Sequence, residues 1–308
     1  MTANLKLVRF LWRRILIRMD SAKLRWKFGS YDVDCSKPVV MGIINITPDS
    51  FSDGGMFFDT RSAIEQGKRL VEQKADILDI GGESTRPGSD SVPDDEEIQR
   101  VIPVIEGIRA VGIETPVSID TRKLRVAEKA VDAGATIVND VSALRDQPEL
   151  ADFIAEKNLG VVLMHMLGRP KTMQKDPQYD DVISEIGEFF EERTAFAVDR
   201  GIPRENIVLD PGIGFGKTLE HNLRILRECG KWLEYGHPIL IGPSRKRFIG
   251  EILDREVTER LYGTIGACVA ALHSGARIFR VHDAGPVREA LSIAYSVIEG
   301  AQLHKSNV

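Results

Sequence analysis

Eight short apolar stretches of this 308-residue chain run into a group that can ionise or hydrogen-bond. The first ends at Asn45. The second reaches Asp79 and then Gly-Gly-Glu-Ser-Thr-Arg-Pro-Gly (81–88). Others end in Asp120-Thr-Arg, Asn139-Asp140, His165, and Asp210-Pro-Gly-Ile-Gly-Phe-Gly-Lys-Thr. The last two lead to Gly-Pro-Ser-Arg-Lys (242–246) and to Arg280-Val-His282-Asp283. Asp120, Asn139, Asp210 and Lys246 together offer acceptors, donors and one cation, a set suited to the edge of a flat heterocycle rich in N–H and C=O. Arg280 and His282, with Arg86, suit phosphate. Asn45 and Asp53 are hard oxygen donors for a Mg²⁺ that keeps most of its waters and bridges phosphate oxygens. One strand-end Asp or Asn is unremarkable, because such residues cap helices. Eight on one rim describe an active site.

The elements that must place these groups alternate along the chain. Val39 to Ile46 is a β-branched strand that stops at Thr47-Pro48, and a polar loop follows to Gly55. Strands are predicted at 39–46, 76–80, 116–120, 136–140, 160–165, 206–210, 238–242 and 277–282. Helical spacing is predicted near 61–74, 94–111, 122–133, 147–158, 181–200, 219–229, 257–273 and 286–299. Asp94 ahead of Glu96-Glu97, and Pro286 at the last helix, are start signals. Eight strand–helix units imply an α/β chain closed as a (β/α)₈ TIM barrel, with an open doubly wound sheet as the alternative. No Pro/Gly/Ser-rich linker divides the chain, so residues 37–300 are expected to be a single domain. A basic N-terminal extension (1–36) and a short tail (301–308) flank it.

The net charge of −5 is unevenly spread. Residues 1–27 hold eight Lys/Arg and one acid, so residues 28–308, with 33 bases and 45 acids, stand at −12. Such a body has no general attraction for nucleic acid, and an anionic substrate needs local basic groups. Residues 1–27 would be basic and amphipathic as a helix, but an extension or a true start at Met19 is the simpler reading. Cys35, Cys229 and Cys268 fit no metal spacing and read as free thiols of a reducing cytoplasm. No apolar run is long enough for stable membrane insertion. The Gly212–Thr218 stretch is neither a Walker A loop nor a dinucleotide fingerprint. His165, between two methionines, is as readily a packed interior residue as a catalyst.

The segments MGIINITPDSFSDGG (41–55), DIGGESTRPGS (79–89), SIDTRK (118–123), NDVSA (139–143), VLMHMLGRPKTMQ (162–174), LDPGIGFGKT (209–218), SRKRFIGEIL (244–253) and RVHD (280–283) resemble the dihydropteroate synthases of the folate pathway. They occur in that family's order. The resemblance implies a TIM barrel, usually homodimeric, that joins a dihydropterin pyrophosphate to p-aminobenzoate with Mg²⁺. It places Asp120, Asn139, Asp210 and Lys246 on the pterin, with Arg280 stacking on its ring. Asn45, Thr85, Arg280 and His282 would hold the diphosphate, Asn45 also the metal. Asp53 and Arg86 would act from mobile loops, and Phe51, Thr85, Pro87, Phe215 and Ser244 would enclose p-aminobenzoate. Pro243, beside Ser244, departs from the family and leaves a ribosylated aminobenzoate as an alternative acceptor. A pterin-dependent methyltransferase barrel would lack Asp53, Thr85, Arg86 and the Arg280/His282 pair, and a silent paralogue would not need them.

Overall fold

Val39–Asn45, sequence VVMGIIN, is buried along its length except at Asn45, as expected of a strand covered on both faces. The structure, a computed structural model, describes residues 24–46, 55–84, 91–168 and 172–300, with the backbone alone for 55–59. Two strands come first, β1 (Arg25–Phe28) and β2 (Tyr31–Asp34), followed by β3 (Val39–Asn45) and α1 (Gly55–Glu72). Then follow β4 (Ile77–Gly81), α2 (Asp94–Ala110), β5 (Val117–Asp120), α3 (Leu124–Asp132), β6 (Ile137–Asp140) and α4 (Leu150–Glu156). The second half holds β7 (Gly160–Met164), α5 (Val182–Asp199), β8 (Ile207–Asp210), α6 (Leu219–Glu228), β9 (Leu240–Ile241), α7 (Arg247–Leu253), α8 (Leu261–Ser274), β10 (Ile278–Val281) and α9 (Ala284–Glu299).

Strands β3 to β10 form one parallel sheet in the order β8-β7-β6-β5-β4-β3-β10-β9. Its ends meet through a parallel bridge between Leu209 and Ile239, with Leu209 N–H donating to Pro238 O at 3.0 Å. The sheet is thus closed, with the helices around it, and the (β/α)₈ expectation holds over the open-sheet alternative. Asn45 pairs in register with Gly81, Gly81 with Asp120, and Asp120 with Asn139. Three of the polar strand ends therefore lie side by side, and Gly81 leaves room between two of them.

Local chemistry explains the helix starts. Asp181 accepts from Ile183 N–H and Ser184 N–H ahead of α5, and Thr218 forms a capping box with His221 ahead of α6. Two expectations shift. The last helix begins at Ala284 instead of Pro286, which a first turn tolerates because those N–H groups have no helical partner. The helical stretch expected at 257–273 is α8, and a further helix, α7, follows Lys246 directly. Among the described residues, no helix is long and apolar enough to cross a membrane.

Residues 25–34, assigned by sequence to the extension, form an antiparallel hairpin. Trp26 and Phe28 are fully buried, and Trp26 Nε1–H donates to Asn206 O at 2.8 Å. Phe28 packs so closely on Gly160 that a β-carbon there would lie 3.0 Å from its ring. Gly160 opens β7 and Asn206 immediately precedes β8, so the hairpin closes the barrel at the end opposite the polar rim. Trp26→Ala is expected to cost about 3–5 kcal/mol, read as a lowered midpoint in urea denaturation.

Candidate active site

The geometry is built around Arg280 on β10. Its Nε donates to Asp79 Oδ2 at 2.5 Å and its Nη2 to Asp120 Oδ2 at 2.6 Å. Asp79 has no exposure and also accepts from Asn139 Nδ2, 3.4 Å from each oxygen. One guanidinium thus joins groups from β4, β5 and β10, and through Asp79 also β6. Burial pushes the Asp120 carboxyl up to about 7 against the pull of Arg280, and Asp79 adds to the rise. Burial works against the charge on Arg280, but Asp79 and Asp120 outweigh it, so the guanidinium stays protonated.

The other strand ends face the same space. Asp210 Oδ1 accepts from Gly212 N–H at 2.7 Å, and burial pushes its carboxyl up to about 6 against that hydrogen bond and against Arg280, Lys246 and Lys217. Lys246 stands just before α7 with Nζ 4.0 Å from the centre of the Phe215 ring. Ser244 Oγ accepts from His282 N–H at 3.2 Å and lies 2.9 Å from His282 Nδ1. The other ring nitrogen, Nε2, is 3.4 Å from Asn45 Nδ2. Burial, Arg280 and Arg245 hold the His282 imidazole down at about 3, so it is neutral near pH 7. Arg245 itself is engaged by Asp283 through two hydrogen bonds of 3.1 and 2.8 Å.

The structure therefore brings Asn45, Asp120, Asn139, Asp210, Phe215, Ser244, Lys246, Arg280 and His282 to the rim at the strand C-termini. Phe51, Asp53, Thr85, Arg86 and Pro87 lie outside the described residues. Asp140 turns away from the site and accepts from Ser142 N–H and Leu144 N–H at 2.7 Å each. His165 is a packed interior residue, edge-on to Phe189 with ring centres 4.8 Å apart, and burial with Lys217 keeps it neutral.

Three features went unassigned by sequence. Asp79 is visible as an acid inside the apolar run Ile77-Leu-Asp-Ile80, but its partner lies 201 residues away. Lys217 Nζ is buried beside His165 Nδ1 at 3.0 Å. Finally, Arg122 and Lys123 clasp Glu83 at 2.9 and 2.7 Å while Lys123 also reaches Glu97 at 2.6 Å. Glu83 in turn accepts from Val92 N–H at 3.0 Å and from Ser91 Oγ at 3.2 Å. This cluster braces the residues immediately after Asp120 against α2.

Residues 41–282 match a family model described as pterin-binding enzyme. The chain is 45% identical over 256 residues to the dihydropteroate synthase of Synechocystis sp., covering 83% of this chain and 88% of that one. The Yersinia pestis dihydropteroate synthase, solved as a complex with a sulfonamide drug, superposes with a TM-score of 0.84 at 39% identity, covering 90% of this chain and all of that one. The Xanthomonas albilineans dihydropteroate synthase, solved with 4-aminobenzoic acid, gives 0.83 at 44% identity over 90% and 98% of the two chains.

Removing one member of a buried charge cluster leaves the others uncompensated. Asp79→Ala should lower stability by about 3–5 kcal/mol, and Asp79→Asn by less, since an amide oxygen still accepts from Arg280. Thermal melting of the two variants checks the order.

Proposed function

The chain belongs to the dihydropteroate synthase family of pterin-binding enzymes, and we infer that its strand ends divide that reaction between them. The reaction joins 6-hydroxymethyl-7,8-dihydropterin pyrophosphate to p-aminobenzoate, giving 7,8-dihydropteroate and pyrophosphate. A C–O bond breaks, a C–N bond forms, and the amine sheds a proton. The arrangement that carries this division of labour is Arg280 bridging Asp79 and Asp120, with Asn139, Asp210 and Lys246 on neighbouring strand ends.

Asp210 and Asp120 accept from the N–H edge of the pterin, and Asn139 and Lys246 donate to its ring acceptors. As the C–O bond ionises, positive charge spreads over the electron-rich ring, and Asp120 is placed to stabilise it. Arg280 and His282 receive the departing diphosphate. His282 is held by Ser244, whose Oγ takes the His282 backbone N–H and contacts Nδ1, and by the Asn45 amide nitrogen beside Nε2. Neutral near pH 7, the imidazole adds no charge of its own to the site that receives the diphosphate. A weak aryl amine can then attack the cation without a strong base. Phe215 and Ser244 border the p-aminobenzoate; by the family resemblance of their sequence segments alone, Phe51, Thr85 and Pro87 would serve the same substrate and Asp53 and Arg86 the diphosphate.

Mg²⁺ fits the donor set: with Asn45 Nδ2 turned to His282, its uncharged Oδ1 would be the protein's ligand, as suits an ion that keeps its waters and takes its remaining contacts from phosphate. Bound there with the diphosphate, it would neutralise charge on the leaving group. The test is pyrophosphate release by the purified protein with dihydropterin pyrophosphate, Mg²⁺ and p-aminobenzoate. Release that requires the aminobenzoate and yields dihydropteroate is expected. Release only with a ribosylated aminobenzoate would reassign the acceptor, and pterin binding without release would mark a silent paralogue.

A homodimer is part of the same reading. Helices α6 to α9 border an apolar groove of about 710 Å³ lined by residues that include Leu223, Ile252, Leu253 and Val297. Val297 is 77% exposed and Ile252 52%. An exposed apolar patch of this kind suits burial by a partner, and Gly266 and Ala270 beside it would let a second copy's helices approach closely. The three buried thiols suit the cytoplasm. Val297→Glu is expected to convert a dimer to monomer in sedimentation analysis, with the monomer less stable to heat.

A further inference from the structure

We propose that Lys217 is a positioning residue for the condensation: its buried ammonium fastens the loop after β8 to the loop after β7, fixing Phe215, and its charge supports Asp210. The proposal rests on Asp210 taking the pterin and Phe215 bordering p-aminobenzoate, as in a dihydropteroate synthase.

The ammonium is 2.9 Å from Phe215 O, 3.0 Å from His165 Nδ1 and 3.4 Å from His165 O. These three acceptors are all uncharged, and Lys217 is only 3% exposed. A full charge so placed is expensive, and a neutral donor could tie the same loops at less cost. What the charge adds is potential at Asp210, which it acts to keep ionised. Asp210 in turn sustains the ammonium, whose pKa burial nonetheless draws down to about 7.

The two loops run at backbone contact. Gly212 has φ +67°, and a β-carbon there would lie 2.1 Å from His165 O. Gly216 has φ +62°, with its β-carbon site 2.8 Å from Leu167 O. Only glycine fits either place. Phe215 lies between them, its carbonyl on Lys217 and its ring beneath Lys246 Nζ. Tyr179 Oη adds a second tie by donating to Gly216 O at 2.9 Å. A shift at Lys217 would therefore move the acceptor wall and the pterin lysine together.

Charge and tether separate experimentally. The charged groups facing Asp210 are Arg280 from β10, Lys246 from the loop after β9 and Lys217 from its own loop. Those facing Lys217 are Asp210 and Lys246, with neutral His165 in contact. A protonated Asp120 or Asp210 loses acceptor capacity, so wild-type affinity for dihydropterin pyrophosphate should fall from about pH 7 downward, with the lower part of this acid limb, near pH 6, belonging to Asp210. Loss of the Lys217 charge raises the Asp210 pKa and should move its part of the limb upward by about one pH unit.

Lys217→Met removes charge and tether; Lys217→Gln keeps amide donors without charge. The methionine variant should show the moved limb and a KM for p-aminobenzoate raised about tenfold. The glutamine variant should show the moved limb with a KM close to wild type. Calorimetric titration of the pterin across pH 5–8 and steady-state kinetics read the two effects, with thermal melting to establish folding. A folded methionine variant with wild-type limb and KM would overturn the proposal. Should that variant not fold, an unmoved limb in the glutamine variant would do so. A wild type that binds the pterin but releases no pyrophosphate would instead count against the synthase reading.

Discussion

Arg280 cannot be moved without unbalancing much of the rim. It is the cation shared by Asp79 and Asp120, and two carboxylates withdrawn from water this far need a partner that is permanently charged. Lysine could not replace it. An ammonium offers no planar fork, and the two acids lie on different strands, so a single point charge would satisfy one and strand the other. Because Asp79 also holds Asn139, the guanidinium indirectly orients an amide on a strand it does not touch.

Asp120 stands where two charge systems meet. On one side is Arg280; on the other, within three residues, Arg122 and Lys123 bind Glu83 and Glu97. These cations are already committed, so little of their charge is left to hold Asp120 ionised. This fits the direction of its shift, in which burial outweighs Arg280. The outcome is a carboxyl poised near neutrality, which the proposed reaction would set beside a ring that becomes cationic. Such a group gains most when positive charge arrives, which is the condition for stabilising a transition state more than the bound substrate.

Much of this was legible in the sequence for a physical reason. Parallel barrel strands are buried on both faces, so a polar residue ending an apolar run signals the rim; Asn45, Asp120, Asn139, Asp210 and Arg280 were all found that way. Asp79 was visible too, but its role depends on a contact with a residue 201 positions away, which no local pattern encodes. Lys217 was obscured by its neighbours, since a glycine-rich run before Lys-Thr invites comparison with a phosphate loop while its ammonium in fact faces inward to carbonyls. The 25–34 hairpin was hidden by composition. Arg25, Lys27 and Asp32 are the outward half of an alternating strand pair, and the inward half, Trp26 and Phe28, is too short to dominate a window average.

The hairpin also clarifies why the rim can tolerate so much buried charge. Trp26 and Phe28 seal the end of the barrel where β7 and β8 begin, with aromatic area and a satisfied indole N–H. This apolar seal adds stability at the end away from the chemistry, while the opposite end keeps acids, lysines and left-handed glycines that weaken it. The closure from β8 to β9 is the thinnest part of the sheet, one bridge and a two-residue strand. Asp210 ends β8 at that same seam, and the loops after β8 and β9 leave from it carrying Phe215, Ser244 and Lys246. Loose pairing there lets the backbone depart early and aim those side chains inward. A longer, fully paired β9 would stiffen the barrel and draw the Gly242–Lys246 turn away from the site it serves.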